Sequence, residues 1–214
     1  MKYSAYVAEA VAAFALVFIG AGSILSGNDT TGVALAHGLV LMCMVYATAH
    51  VSGAHVNPAV TIGMLVTRKI GASKAVFYII SQLVGAAVAG FLLAAVFPSV
   101  AAGTPALASG LPAATGILVE AVLTFFLVFT IFGVAVDKRA PAGFYGLAIG
   151  LVLAFDILAG GSLTGAAMNP ARAFGPALAS GFWENHFVYW IGPIIGAVIA
   201  ALLYDKVLNS KDSS

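Results

Sequence analysis

The residues of this chain whose types and spacing could do chemistry are two triplets, Asn57-Pro58-Ala59 and Asn169-Pro170-Ala171. Asn followed by Pro is typical of a helix start, because Asn caps the unpaired N–H groups and Pro suits the first helical position. The amide group of Asn also has N–H donors that a polar molecule with acceptor lone pairs could use. Each triplet therefore predicts a short helix whose polar end could meet a solute.

The sequence repeats beyond the triplets. The segment that begins at Glu9 aligns with the segment that begins at Glu120. The tetrad Gly38-Leu39-Val40-Leu41 recurs as Gly150-Leu151-Val152-Leu153, at the same distance before its triplet. Agreement at separate places is hard to obtain by chance among apolar residues, so the chain is interpreted as an internal duplication.

The composition places both triplets in a membrane protein. Of 214 residues, 62% are hydrophobic and 8% are charged, and the mean hydropathy is +1.07. Soluble domains carry roughly 25% charged residues. Apolar stretches of about 20 residues are typical of membrane-spanning helices. Six long apolar segments cover about residues 5–25, 33–52, 73–97, 115–136, 142–159 and 187–208.

Two shorter apolar segments follow the Asn-Pro pairs, at about residues 58–66 and 170–179. Each would rise only about 15 Å at 1.5 Å per residue, whereas the hydrocarbon core is about 30 Å thick. The predicted fold is therefore an all-α integral membrane bundle of six transmembrane helices plus two re-entrant half-helices.

Three long spans in each half imply that the second half enters from the opposite side, as in an inverted repeat. We predict a first repeat at 1–98, an extracellular connecting loop at 99–113, a second repeat at 114–208 and a cytoplasmic tail at 209–214. Eight of the nine cationic residues fall on the side shared by both termini, which the positive-inside rule assigns to the cytoplasm: Lys2, Arg68, Lys69, Lys74, Lys138, Arg139, Lys206 and Lys211.

The predicted half-helices would form a functional site. Unpaired N–H groups and the helix dipole make each N-terminus partly positive, so two facing ends would repel cations and protons at mid-membrane. Asn57 and Asn169 are expected to line a pore there, with simple helix capping as the weaker interpretation. Arg172 is also expected in the pore, because an Arg within a membrane usually faces a wet cavity. Whether His55 lines the pore stays open.

Glu9 and Glu120 occupy equivalent positions in the two repeats and admit two interpretations. One is a proton relay; the favoured one is that each accepts hydrogen bonds from the irregular backbone before its half-helix, which otherwise lacks partners. Asp156 and the single cysteine, Cys43, receive no role. Metal-ligand spacing and a nucleophile–base–acid set are absent from the sequence, so we expect no enzyme activity, no cofactor and no metal.

The motifs resemble those of the aquaporin family, the major intrinsic proteins. The resemblance covers about residues 5–208 and rests on two segments, Ser52–Thr61 and Gly165–Pro176, which contain the triplets. It implies six tilted helices, two half-helices, one pore per protomer and a homotetramer. It also implies a selectivity constriction formed by His37, Ile157, Ala166 and Arg172, at which His37 and Arg172 donate hydrogen bonds to the solute.

This constriction is similar to that of the plant tonoplast intrinsic proteins, several of which pass ammonia, urea or hydrogen peroxide besides water. The ammonia-permeable type has a His in the outer loop, where this chain has Gly103-Thr104-Pro105. Glycerol facilitators carry Asp directly after the Arg, where this chain has Ala173, so glycerol is disfavoured.

The resulting hypothesis is a passive channel for water and small neutral solutes that excludes protons and ions. One alternative is a facilitator selective for ammonia or another small solute, with water secondary. A secondary active transporter is another, because inverted repeats with broken helices occur there too, and a closed structural protein is the third. The expected surroundings are a lipid bilayer, with a cell (plasma) membrane location, and no nucleic-acid partner.

Overall fold

The computed structural model describes residues 3–209, and every regular element in that range is helical. Six of the helices are long and apolar enough to cross a membrane, which confirms the predicted all-α membrane fold. In chain order the α-helices are α1 (Tyr3–Leu25), α2 (Thr30–Ser52), α3 (Pro58–Val66), α4 (Ala72–Val96), α5 (Ala113–Ile131), α6 (Tyr145–Thr164), α7 (Pro170–Ser180) and α8 (Val188–Leu203).

Three short elements complete the description. A 3₁₀ turn at Ala101–Gly103 lies in the connector between α4 and α5. Single π-helical turns extend α5 at Phe132–Val136 and α8 at Tyr204–Leu208. The two π turns thus stand at the C-terminal ends of α5 and α8, the first and third spans of the second repeat.

The two short helices begin where the triplets predicted. Asn57 and Asn169 have extended backbones and cap α3 and α7, and Pro58 and Pro170 take the first helical position. The Oδ1 atom of Asn57 accepts a hydrogen bond from the Ala59 N–H at 2.8 Å. The half-helices therefore form through local capping as well as through packing.

The fifth span differs from its predicted range of 142–159. Helix α6 runs from Tyr145 to Thr164, so the prediction was wrong at both ends. The helix continues through Gly160 because that glycine packs against Leu123 of α5, where a Cβ would meet the leucine methyl at 2.5 Å. Close helix contact therefore outweighs the intrinsic tendency of glycine to end a helix.

The long helices pack closely through small residues. A Cβ on Gly85 of α4 would overlap the carbonyl oxygen of Ala10 in α1. In the second repeat, a Cβ on Gly196 of α8 would overlap the carbonyl oxygen of Ala121 in α5. The same backbone approach thus joins the first and third spans of each repeat, as is typical of helices in lipid.

Most of the predicted C-terminal tail, 209–214, lies outside the described residues, as do Lys2 and Lys211. The division into repeats at 98 and 114 and the assignment of sides stay predictions.

Replacing Gly85 with Ala is expected to destabilise the bundle by about 1–3 kcal/mol, because the added methyl meets a backbone carbonyl that cannot move aside. The thermal unfolding midpoint of the detergent-purified protein should fall. Gly161→Ala is the matched control, since its Cβ would have no neighbour closer than 3.6 Å. Equal midpoints for the two variants would contradict this packing.

Candidate functional site

The backbone that precedes each half-helix is strained in the same way in both repeats. Ala54 and Val56 have φ angles of 48° and 58°, and Ala166 and Met168 have φ angles of 44° and 51°. Such left-handed conformations cost on the order of 1–3 kcal/mol for residues other than glycine. Other contacts must therefore hold these two segments in place.

Glu9 holds the first strained segment. The side chain is wholly buried. Its Oε1 accepts hydrogen bonds from the Ser52 hydroxyl at 2.7 Å and from the His55 N–H at 2.9 Å, and its Oε2 accepts one from the Val56 N–H at 2.7 Å. One carboxylate thus satisfies backbone donors that have no helical partner.

Glu120 makes the equivalent contacts in the second repeat. Its Oε1 accepts from the Thr164 hydroxyl at 2.7 Å and the Ala167 N–H at 2.9 Å, and its Oε2 accepts from the Met168 N–H at 2.7 Å. Both carboxylates therefore act as acceptors for backbone, which supports the structural interpretation over a proton relay.

Sequence reasoning missed three residues that complete these clusters. Gln82 donates to Oε2 of Glu9 at 2.8 Å. The hydroxyl groups of Tyr78 and Tyr189 donate to the carbonyls of Ser52 and Thr164, at 2.6 and 2.8 Å. The two tyrosines were detectable, because they occupy matching positions in the alignment that pairs Glu9 with Glu120; Gln82 has no polar counterpart there.

The two asparagines link the repeats across the middle of the bundle. Nδ2 of Asn57 donates to the carbonyl of Met168 at 2.8 Å, and Nδ2 of Asn169 donates to the carbonyl of Val56 at 3.1 Å. Each amide group has two N–H donors, so one remains for a solute. Both asparagines line a cavity, whereas the Pro and Ala of each triplet are buried.

That cavity, here called the main cavity, has a volume of about 220 Å³. Its polar side chains come from both repeats and comprise His37, His55, Asn57, Tyr145, Asn169 and Arg172. Much of its wall is apolar and includes Leu41, Val45, Val60, Met64, Leu127, Ile131, Ile149 and Leu153. A solute inside it would meet only a few places to form hydrogen bonds.

A second cavity of about 330 Å³, here called the vestibule, is lined by the connector residues Thr104 and Pro105 and by Ile157. Of the predicted constriction residues, His37 lines the main cavity, Ile157 lines the vestibule and Arg172 lines both. Ala166 is buried in the apolar cluster that also contains Ile157, and its neighbour Ala167 lines the main cavity.

Arg172 is buried between the half-helix and the connector. Its Nη1 donates to the carbonyl of Gly103 at 3.0 Å, and its Nε has no hydrogen-bond partner within residues 3–209. The connector segment Gly103-Thr104-Pro105 therefore holds the guanidinium group in place, through the backbone carbonyl of Gly103. Its remaining N–H groups can serve a solute at the junction of the two cavities.

His37 does not fit the expectation that its neutral ring donates to the solute. Its Nδ1 lies 2.9 Å from the carbonyl oxygen of Val33, which can only accept, so Nδ1 carries the proton. Nε2 of the neutral ring is then an acceptor. At these two predicted constriction positions, Arg172 therefore keeps an N–H donor without a partner among the described residues, and the neutral His37 ring keeps an acceptor.

His55, a pore-lining candidate in the sequence, lines the main cavity. The Thr61 hydroxyl donates to the carbonyl of Asn57 at 3.1 Å and lies 3.0 Å from Nδ1 of His55. The tautomer in which Nδ1 donates to this hydroxyl leaves Nε2 of His55 as an acceptor.

The end of the main cavity near Val136 is held by an ion pair. The Arg139 guanidinium donates to Asp137 at 2.6 Å, and the hydroxyl of Tyr204 donates to the same carboxylate at 3.2 Å. Hydrogen bonds from Arg139 hold the pKa of Asp137 well below its usual range. The loop after α5 is thereby tied to the C-terminal π turn.

Asp156 and Cys43 stay outside this site. Asp156 is buried in α6, and its Oδ2 has no hydrogen-bond partner among the described residues. Cys43 is exposed on α2. Within residues 3–209, no group of three or more His, Cys, Asp or Glu side chains is arranged to hold a metal.

Comparison with known proteins agrees with this geometry. The family model described as major intrinsic protein matches residues 1–204, and the chain belongs to this family, as the motifs predicted. The family consists of channels, which confirms that the protein is not an enzyme.

Individual relatives extend the comparison. The chain is 47% identical to "Aquaporin TIP4-4" of Zea mays, over 97% of this chain and 87% of that protein. It is 44% identical to "Aquaporin-4" of Mus musculus, over 96% of this chain and 67% of that protein. A solved structure, the aquaglyceroporin from Plasmodium falciparum, superposes with a TM-score of 0.81 at 26% identity, over 97% of both chains.

Glu9→Gln is expected to lower the thermal unfolding midpoint and the water permeability together. The amide places an NH₂ group where one backbone N–H group, that of His55 or that of Val56, needs an acceptor, and a buried unsatisfied donor costs about 1–3 kcal/mol. The exposed Glu184, changed to Gln, is the control. Wild-type stability and permeability in Glu9→Gln would show that the carboxylate does not hold the segment.

Proposed function

We propose that the protein is a passive transmembrane channel for water and for small neutral solutes. The observation that carries this proposal is the meeting of two half-helix N-termini at one cavity, with Asn57 and Asn169 on its wall. Water in single file would donate to acceptors such as Nε2 of His55 and accept from the free N–H of each asparagine. Apolar side chains between these groups keep the hydrogen bonds few, so the solute is not held.

Exclusion of ions follows from the same groups. The N-termini of α3 and α7 direct partial positive charge towards the cavity, and Arg172 adds a full charge at its outer end. A cation loses its hydration shell at this place and finds few acceptors in exchange. At the asparagines, donors from both sides orient the water oxygen, which interrupts a chain of hydrogen bonds along which a proton could move.

The choice of solute depends on the constriction. Ile157 is apolar and cannot form hydrogen bonds, and His37 and Arg172 offer one acceptor and one set of donors. A planar or small solute that both donates and accepts, such as urea, hydrogen peroxide or ammonia, suits this pair. The plant relatives called TIP aquaporins support the comparison with tonoplast channels. Ala173 after Arg172 argues against glycerol.

The family suggests a homotetramer in which each protomer has its own pore. Large apolar side chains are exposed along the long helices, among them Leu39, Val84, Phe91, Leu151 and Ile199. Lipid or neighbouring protomers would cover these surfaces. We place the protein in a cell membrane with both termini in the cytoplasm, on the side of Lys69 and Arg139.

Stopped-flow light scattering on reconstituted vesicles tests the water channel. A higher sucrose concentration outside the vesicles should give fast shrinkage with a low activation energy, at a rate that rises with protein content. Leu41 lines the main cavity and Leu39 on the same helix points outward, so Leu41→Trp should abolish the flux and Leu39→Trp should keep it. Saturable, gradient-coupled uptake without osmotic flow would instead indicate a transporter, and neither signal would indicate a closed protein.

Ile157→Phe is expected to reduce urea and hydrogen peroxide permeability by about tenfold, equivalent to about 1.4 kcal/mol of added barrier, with a smaller effect on water. The larger ring would fill space in the vestibule, which Arg172 also lines. Leu158→Phe, at the exposed neighbouring position, is the control. Unchanged solute-to-water ratios in Ile157→Phe would remove Ile157 from the constriction. Fast urea or ammonia passage with little water flux in the wild type would favour the selective facilitator.

A further inference from the structure

The ring of His37 lies directly against a glycine of the neighbouring helix. A Cβ built on Gly20 of α1 would overlap Nε2 of His37 and lie 2.5 Å from its Cδ2 and 2.8 Å from its Cε1. The three atoms nearest to that Cβ all belong to His37. The missing side chain of Gly20 therefore supplies the volume that the imidazole ring occupies.

The ring is held in this place from its other end. The Nδ1–H group of His37 donates to the carbonyl of Val33, one turn earlier in α2, at 2.9 Å. His37 is 3% exposed and lines the main cavity. Because Gly20 lies against the Nε2 end of the ring, a larger side chain at position 20 would push the ring away from α1.

The second repeat shows what occupies the same positions when no histidine is present. In the alignment that pairs Glu9 with Glu120, Gly20 corresponds to Ile131, and in the alignment of the two Gly-Leu-Val-Leu tetrads, His37 corresponds to Ile149. Ile131 and Ile149 both line the main cavity. The second repeat thus has two medium-sized side chains, Ile131 and Ile149, where the first repeat has a glycine and the large ring of His37.

From these contacts we infer that Gly20 is a specificity-determining position of the channel, which acts by setting how far the His37 ring reaches into the constriction. This inference rests on the proposed function. Gly20 touches no solute itself; it is a positioning residue for His37. With glycine there, the ring is withdrawn towards α1 and the aperture beside Arg172 and Ile157 stays wide enough for solutes larger than water.

Gly20→Ala tests the inference in reconstituted vesicles, with water measured in a sucrose gradient and hydrogen peroxide and urea measured in the same preparation. The added methyl should push the ring into the aperture and lower hydrogen peroxide and urea permeability about tenfold relative to water. Gly22→Ala on the same helix is the control, because its Cβ would lie 3.4 Å from Leu93, an ordinary contact. It should leave the ratios at the wild-type value.

The double variant Gly20→Ala/His37→Ala separates a positioning role from a general effect on helix packing. If Gly20 acts through the ring, His37→Ala raises the solute-to-water ratio and Gly20→Ala then changes nothing further. If Gly20→Ala lowers the solute-to-water ratio by a similar factor in the wild type and in His37→Ala, the inference is overturned. If Gly20→Ala alone does not fold, rescue of folding by His37→Ala supports the inference, because it shows that the added methyl and the imidazole ring compete for the same space. A double variant that also fails to fold overturns the inference.

Failure of this inference differs from failure of the proposed function. A wild type that passes neither water nor the test solutes would refute the channel itself. A wild type that conducts, with Gly20→Ala and Gly22→Ala both at wild-type ratios, would refute only the role of Gly20.

Discussion

The structure depends on two buried carboxylates that accept hydrogen bonds from backbone N–H groups. Glu9 and Glu120 are fully enclosed, and each binds the segment that leads into a half-helix. A chain in lipid has no water to satisfy irregular backbone, and each unpaired group there costs several kcal/mol. Without an internal acceptor, neither segment could leave the helical conformation in the middle of a membrane.

The remaining features of the site follow from this anchoring. Once the segments are held, the left-handed residues before each triplet turn the chain so that α3 and α7 start at the centre of the bundle. Asn57 and Asn169 then reach the backbone of the opposite repeat. Neither carboxylate lines the main cavity or the vestibule, and both still determine where the donors that meet the solute are placed. The buried charges of Glu9 and Glu120 thus hold in place the walls of a cavity that itself favours neutral molecules.

The sequence was informative where chemistry is local and repeated. The two triplets predicted the starts of α3 and α7, because capping by Asn and the position of Pro depend on adjacent residues. The apolar segments predicted the spans, and the match of Glu9 with Glu120 predicted that these carboxylates serve the backbone. The proton position on His37 was out of reach, since it depends on which carbonyl lies near the ring.

Contacts between helices that are distant in the sequence could not be predicted from the sequence either. Gly20 is one of 24 glycines and has no mark that distinguishes it until α1 and α2 are docked. Gln82 has no counterpart in the second repeat, so the duplication that exposed the tyrosines could not expose it. The end of α6 was misplaced because Gly160 serves a helix contact with Leu123, which only the folded bundle shows.

The central claim is that this anchored pair of helix N-termini passes water and rejects protons. The most direct test measures both in the same vesicles, with an enclosed pH-sensitive dye, a sucrose step for water, and a potassium gradient with valinomycin to drive protons. Water permeability should rise in proportion to protein content while the proton leak stays at the level of empty vesicles. A proton flux that rises together with the water flux would contradict the account.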